Sequence, residues 1–218
     1  MSRIGCIAGM LWIAASGAVL AQEAITQPLP RSEITVGKSY LEGTLIWGEN
    51  TEVDLDIWGL SGQLMVPIDA RMAFNGKLTW LTDNDSGGSI DTITIGGAIA
   101  YELIEPAAGT PSLTIFGGAG VSWVEVKSGG VTLVDDTAVY VESGVQIDLK
   151  LSEDARVIPF FGVTFVFNGD SDTIFGAGGK VQVKIGEGWH FTGGAIFQFD
   201  DISEGWLLLV GVVKELGL

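Results

Sequence analysis

Apolar and polar side chains alternate from Ile174 to Phe199, with one interruption at Gly186-Glu187-Gly188. A period of two residues predicts β-strands, and a three-residue break containing glycine predicts a tight hairpin. The apolar positions of this segment carry large aromatic residues, whereas the polar positions carry full charges at mid-strand. The pattern fits a soluble sheet with its apolar row inside, and it equally fits a membrane barrel with its apolar row in lipid.

The same alternation begins at Ile34 and predicts about ten strands, with eight as the alternative count. In the second strand the apolar residues change parity, which predicts a β-bulge near Ile57-Trp58-Gly59. The odd-numbered breaks between strands are acidic or long, as from Ser128 to Asp136, and the even-numbered breaks are shorter on average. A barrel with both termini on the periplasmic side has longer loops outside and short turns inside.

Glycine pairs recur in mid-strand, and tryptophans recur near strand ends on the apolar parity. Glycine weakens a strand, so we attribute its recurrence to a small, strongly curved barrel in which side chains converge. The glycine pairs are Gly96-Gly97, Gly117-Gly118, Gly178-Gly179 and Gly193-Gly194. The tryptophans predict an aromatic girdle at the two water–lipid boundaries. They are Trp47, Trp80, Trp123, Trp189 and Trp206.

The N-terminus has the features of a secretory signal peptide. A short positive start is followed by a mostly apolar stretch from Ile4 to Leu20, and Val19 and Ala21 fit a cleavage site before Gln22. We therefore predict a signal peptide at 1–21, a periplasmic lead-in at 22–33 and one barrel domain at 34–218. Because Cys6 falls within the signal, the mature chain has no cysteine and cannot be a disulfide-stapled scaffold.

Composition narrows the class of protein further. The chain is 47% hydrophobic with a mean hydropathy of +0.40, yet after Ala21 it has no apolar run long enough for a transmembrane helix. Dispersed apolar content is typical of membrane barrels, although a soluble periplasmic β-protein remains an alternative. Loss of Arg3 with the signal leaves ten basic and 27 acidic residues, a net charge of −17. Such a charge argues against nucleic-acid binding.

These features together resemble the small outer-membrane β-barrels of Gram-negative bacteria, the OmpA-like, Opa-like and OmpW-like group. The resemblance covers the whole mature chain and rests on the signal peptide, the strands, the glycine pairs, the acidic breaks and the C-terminal strand. It implies a single antiparallel, up-and-down transmembrane barrel in the outer membrane. The implied partners are outer-membrane lipid, lipopolysaccharide and the barrel-assembly machinery. Lys214 and the terminal Leu218 depart from the aromatic-ended final strand of that group.

The polar residues that alternate with apolar ones along each strand are candidates for the barrel interior. They include both acidic and basic side chains. Unpaired buried charge is costly, so we predict an ion-pair network that plugs the lumen. A narrow channel for small solutes, lined by the same groups, is the alternative. The predicted network comprises Lys38, Glu42, Lys77, Glu102, Glu142, Gln146, Lys180, Lys184 and His190, with Gln182 on the same face.

Candidate chemistry is sparse, and we predict a structural or surface-interaction role without enzymatic activity. His190, Thr192 and Glu204 faintly resemble the His-x-Ser and Glu arrangement of lipid A deacylases, but Thr192 replaces the nucleophilic serine. The stretch Asp83 to Gly87 starts like a Ca²⁺ loop but lacks the distal glutamate. We predict no cofactor and no metal site, and we place a possible external ligand at the acidic loops.

Overall fold

The computed structural model describes residues 39–50, 55–83, 88–104, 111–128, 131–168, 170–199 and 204–217. These residues form ten β-strands, and none of them is helical. The strands are β1 (Ser39–Asn50), β2 (Leu55–Pro67), β3 (Met72–Asp83), β4 (Gly88–Ile104), β5 (Ser112–Ser128), β6 (Val131–Lys150), β7 (Ala155–Asn168), β8 (Asp170–Gly186), β9 (Trp189–Phe199) and β10 (Glu204–Leu216). No helix in these ranges is long and apolar enough to cross a membrane.

The strands close into an antiparallel up-and-down barrel. Each strand pairs with its neighbours in sequence, and β1 pairs with β10 to complete the ring. The shortest strand, β9, has 11 residues, which is enough to cross a bilayer at the tilt usual for barrels. The prediction of an all-β, ten-stranded, up-and-down barrel is therefore confirmed.

The alternation of side chains places apolar residues on the outer wall and polar residues inside. Phe197 is 60% exposed and Val181 is 45% exposed, whereas Lys180 is 2% and Glu142 is 4% exposed. A water-soluble barrel would show the opposite arrangement. The outer wall is therefore suited to hydrocarbon and not to water.

The second strand is regular, and the predicted bulge near Ile57-Trp58-Gly59 is wrong. Trp47 pairs with Trp58 and Leu45 with Leu60, with no shift of register along the β1–β2 ladder. Ile57 is 6% exposed because it faces the interior, while Trp58 points outward. The parity changed in the sequence because an inward-facing position is apolar here, not because the strand is bulged.

The hairpin from β5 to β6 is longer than the sequence indicated. The predicted loop from Ser128 to Asp136 is largely strand, because β6 begins at Val131. A register shift after Val126 accommodates the end of this hairpin. β6 has 20 residues, so it extends well beyond the length needed to cross a bilayer. The predicted signal peptide, lead-in and the stretch 84–87 lie outside the described residues.

Strand glycines relieve crowding inside the barrel. A methyl group on Gly96 would overlap the Oη of Tyr140, whose side chain is fully buried. A methyl group on Gly118 would collide with Ala98 and with the carbonyl oxygen of Gly97 on the neighbouring strand. These close approaches supply a physical reason for the inward-facing member of each glycine pair.

Candidate functional site in the barrel interior

A buried ion pair between Glu42 and Lys180 crosses the barrel interior. The Lys180 Nζ donates to both carboxylate oxygens of Glu42, at 2.9 and 3.0 Å. Thr44 and Thr192 also donate their hydroxyls to Glu42 Oε1, each at 3.4 Å. Glu42 lies on β1 and Lys180 on β8, with β9 and β10 between them around the wall. The two side chains therefore meet within the lumen and not along one face of adjacent strands.

A second buried pair joins Lys77 on β3 to Glu142 on β6. The Lys77 Nζ lies 3.3 Å from Glu142 Oε2, and the side chains are 6% and 4% exposed. The same ammonium stands 5.4 Å from the ring centre of Tyr140. β4 and β5 separate the two strands, so this pair also spans the barrel interior. The acid of each of these two pairs is thus matched with a base, as buried charge requires.

A histidine–carboxylate contact and an ion pair lie at the end of the barrel that holds the short turns. His190 Nε2 lies 3.2 Å from Glu215 Oε1, whose side chain is 26% exposed. Arg156 Nη1 donates to Asp148 Oδ2 at 2.9 Å. Neither Glu215, Arg156 nor Asp148 was included in the predicted network. Each lies close to a strand end. Asp148 falls on the polar face of β6, whereas the sequence gives no clear parity for Glu215 and Arg156.

Other polar side chains occupy further positions in the barrel interior. Glu102 and Gln146, both in the predicted network, are 1% and 2% exposed. Ser61 and Thr79 share a hydrogen bond of 3.0 Å, and so do Thr94 and Ser122 at 3.1 Å. Gln182 is 1% exposed, and its side-chain amide has no hydrogen-bond partner among the described residues. Polar side chains from β2, β3, β4, β5, β6 and β8 therefore line the interior.

An apolar cluster occupies the interior toward the other end of the barrel, and the sequence analysis missed it. It draws inward-facing residues from eight of the ten strands. Its members are Ile46, Ile57, Leu81, Ile90, Val124, Val126, Phe160, Ile196, Leu207 and Leu209. A smaller cluster at the turn end contains Tyr40, Met65, Ala73, Ala100, Phe116 and Val213. The polar centre thus lies between apolar clusters.

Lys184 and Lys38 are the two members of the predicted network for which the structure describes no buried side chain. Lys184 does not join the buried network, because β8 continues past the packed interior and leaves this side chain exposed two residues before the strand ends. That part of the prediction is wrong. Lys38 lies outside the described residues. The remaining predicted members all have buried side chains.

The tryptophans lie on the outer wall near the strand ends. Trp47 and Trp206 meet edge to face with ring centres 5.1 Å apart, and Trp58 and Trp80 meet in the same way at 5.2 Å. Trp123 stands near the same end of the barrel, on β5. Trp189 stands at the opposite end, where its ring centre lies 5.0 Å from Lys214 Nζ. Trp58 was absent from the predicted girdle because the predicted bulge left unclear on which face of β2 its side chain lies.

Acidic residues predominate at the loop end of the barrel. An exposed pair on the projecting hairpin, Glu125 and Lys127, has a separation of 2.5 Å. The hydrogen bond from Lys127, aided by one from Thr132, holds the pKa of Glu125 below its usual value. The acidic residues of the described strands at this end include Glu49, Asp56, Asp83, Asp91, Asp135, Asp136, Asp172 and Glu204.

The residues with candidate catalytic or metal-binding chemistry lie apart from one another or outside the described ranges. Within the described ranges, no group of three or more histidine, cysteine, aspartate or glutamate side chains could hold a metal ion. His190 is at the turn end of β9, whereas Glu204 begins β10 at the loop end. Glu204 is therefore not brought to His190 and Thr192, and residues 84–87 of the predicted Ca²⁺-like stretch lie outside the described residues.

Comparison with known proteins identifies the fold. No known protein family matches the sequence, and no curated protein matches it. The translocator domain of the autotransporter NalP from Neisseria meningitidis is similar over 98% of this chain and 96% of that one, with 12% identity and a TM-score of 0.53. The transport unit of the autotransporter AIDA-I from Escherichia coli is similar over 92% and 98%, with 10% identity and a TM-score of 0.54. The chain has the fold of a small outer-membrane β-barrel.

Proposed function

We propose that this protein is an outer-membrane β-barrel with a closed lumen and a structural or surface-interaction role. The proposal rests on the interior of the barrel, which is filled by polar side chains at its centre and by apolar side chains toward the loop end. Two ion pairs cross the polar centre, and an apolar cluster from eight strands lies toward the loop end. The four paired charges are all 7% exposed or less. A solute path would need these matched charges to separate and the apolar cluster to part.

The apolar outer wall supports placement in a membrane. Its exposed side chains include leucine, isoleucine, valine and phenylalanine along every strand, which would aggregate in water. Both termini of the described barrel lie at the end with the short turns, which corresponds to the periplasmic side in outer-membrane barrels. The acidic end and the β5–β6 hairpin then face the outside of the cell. We propose that this outer surface contacts lipopolysaccharide and other partners.

Planar-bilayer recording tests the closed lumen directly. Purified mature protein is added to bilayers, and insertion is verified by heat-modifiable migration of the same preparation on a gel. A known open porin shows that insertion events are detectable under the same conditions. We expect the folded protein to produce no discrete conductance steps. Reproducible steps from folded protein would reject the closed lumen and favour the narrow channel.

The variant Lys77→Ala/Glu142→Ala sharpens this test. It removes one ion pair together with both of its charges and leaves the apolar cluster intact. We expect the variant to stay silent in the bilayer, because the cluster still fills the interior toward the loop end. Conductance that appears only in the variant would show that the ion pair alone seals the lumen, and it would contradict the role given to the cluster.

A further inference from the structure

The outer wall contains an apolar groove where two glycines from adjacent strands stand side by side. Gly43 on β1 pairs directly with Gly62 on β2. The groove has a volume of about 680 Å³. Its other lining residues on the outer wall are Leu45, Leu60, Leu78, Trp80, Phe191, Val210 and Val212. The polar residues beneath it, Thr44 and Ser61, direct their hydroxyls to partners within the protein.

Internal packing does not explain these two glycines. A methyl group on Gly43 or Gly62 would have no atom within 4 Å. By contrast, the outward-facing Gly76 and Gly97 are covered by the ring of Phe74, which lies 3.5 and 3.0 Å from the position of such a methyl group. A glycine within a strand is destabilising relative to alanine. What the pair provides is the open floor of the groove.

A single lysine interrupts the apolar wall beside this groove, at its periplasmic side. Lys214 is the next outward position after Val212 on β10, and it pairs with Leu41 and with Trp189 across the two ladders. Its Nζ lies over the Trp189 ring and donates to the carbonyl oxygen of Glu187 at 3.2 Å. This half-buried ammonium stands near the periplasmic boundary, while the loop end of the wall is bordered by acids such as Glu49 and Asp56.

We propose that the groove binds one acyl chain of an anionic phospholipid from the periplasmic leaflet, with its phosphate at Lys214. Only hydrocarbon or another apolar surface reaches a groove between the two aromatic belts. A phosphate is attracted by Lys214 and repelled by outward acids such as Glu49 and Asp56 at the outer end. Of the two acids near Lys214, Glu215 directs its carboxylate to His190, and Glu187 approaches Lys214 through its backbone carbonyl oxygen. A volume of about 680 Å³ also lies within the range of sites that bind small molecules.

This inference rests on the proposed membrane placement but not on the closed lumen.

The mature protein is reconstituted in vesicles of phosphatidylethanolamine and phosphatidylglycerol, extracted in mild detergent and analysed by native mass spectrometry. We expect the wild type to retain phosphatidylglycerol. Gly62→Leu, which fills the floor, should lose the retained lipid. Lys214→Gln should lower the preference for phosphatidylglycerol about fivefold, the effect of one lysine at an anionic lipid surface.

Ala119→Leu is the matched control, because Ala119 is an outward-facing small residue on β5, away from the groove. It should retain lipid as the wild type does. Heat-modifiable migration shows that every variant is a folded barrel. Equal retention by Gly62→Leu and wild type would overturn the proposal, as would a wild type that retains no phospholipid. In a preparation from cells, retained lipid A or a groove-dependent dimer would assign the groove to another occupant. Conductance steps would reject the closed lumen without affecting this result.

Discussion

Glu42 and Lys180 lie 138 positions apart in the sequence, and their side chains meet at 2.9 Å inside the barrel. The two side chains are only 3% and 2% exposed. Two threonine hydroxyls satisfy further lone pairs of the carboxylate. Such a pair is costly to break, because the remaining charge would be buried without a partner.

Glu42→Ala should therefore destabilise the barrel by about 3–5 kcal/mol, the usual cost of leaving one buried charge unpaired. Urea unfolding from lipid vesicles, followed by tryptophan fluorescence, measures the change. Glu125→Gln is the control, because it removes an acid from the exposed Glu125–Lys127 pair, and it should leave the midpoint unchanged. Similar midpoints for both variants would show that the Glu42–Lys180 pair is not buried as described.

Replacing both partners together tests the same relationship from the opposite direction. Glu42→Leu/Lys180→Met leaves no charge to desolvate and keeps similar volumes, so it should cost less than the sum of the two single substitutions. The double-mutant cycle gives the coupling energy of the pair. A cycle in which the two substitutions add without coupling would indicate that the side chains do not interact.

Gly96→Ala should destabilise the barrel by about 1–3 kcal/mol, the usual cost of overpacking, because its methyl group overlaps Tyr140 Oη. Tyr140→Phe removes that oxygen and should recover part of the loss when the two are combined. Gly43→Ala is the control, since its methyl group meets no atom within 4 Å. The comparison uses the unfolding midpoints of the wild type, Gly96→Ala, Gly96→Ala/Tyr140→Phe and Gly43→Ala, with Tyr140→Phe alone as the reference for the combined variant. An equal loss in Gly43→Ala would contradict the steric explanation.

The Lys127→Gln variant should raise the pKa of Glu125, because Lys127 is the main group that holds it down. The stabilisation of the ionised carboxylate applies above its ordinary pKa and is lost as the pH falls through the lowered value. Carbon-detected NMR of labelled protein in detergent micelles follows this carboxyl through a pH titration. An unchanged titration midpoint in the variant would show that the two side chains do not pair in solution.

His190→Ala should leave the lipid A of expressing cells unchanged, because His190 faces the interior and contacts Glu215. Lipid A is extracted from cells with the wild type, the variant or an empty vector, and its acyl chains are counted by mass spectrometry. A deacylated product that appears with the wild type and disappears with the variant would instead identify an enzyme.

The sequence predicted the wall of the barrel well, because a period of two determines which residues share a face. Lys180, Glu142 and Phe197 all lie on the predicted sides. The prediction failed where both faces are apolar. From Trp206 to Val210 every residue is apolar, so alternation disappears, and the inward Leu207 and Leu209 could not be separated from their outward neighbours. The bulge was wrongly predicted in β2 for the same reason, because the inward-facing Ile57 is also apolar.

The pairing of charges could not be predicted from the sequence. Glu42 reaches Lys180, and not a nearer base in the chain, because closure of the ring and the registers of β8, β9 and β10 bring them together. A shift of one residue in any register would point a side chain to the other face. The groove at Gly43 and Gly62 depends on register in the same way, since two isolated glycines form a floor only when they pair.

Photolabelling from within the bilayer tests the central claim most directly. The mature protein is folded in vesicles that contain a phospholipid with a diazirine at mid-chain, illuminated, digested and mapped by mass spectrometry. We expect adducts on outward residues such as Val141, Val181 and Phe197, and none on Glu142, Lys180 or Gln198. Adducts on this second set, or protein that stays folded in buffer without lipid or detergent and takes up no label, would contradict it.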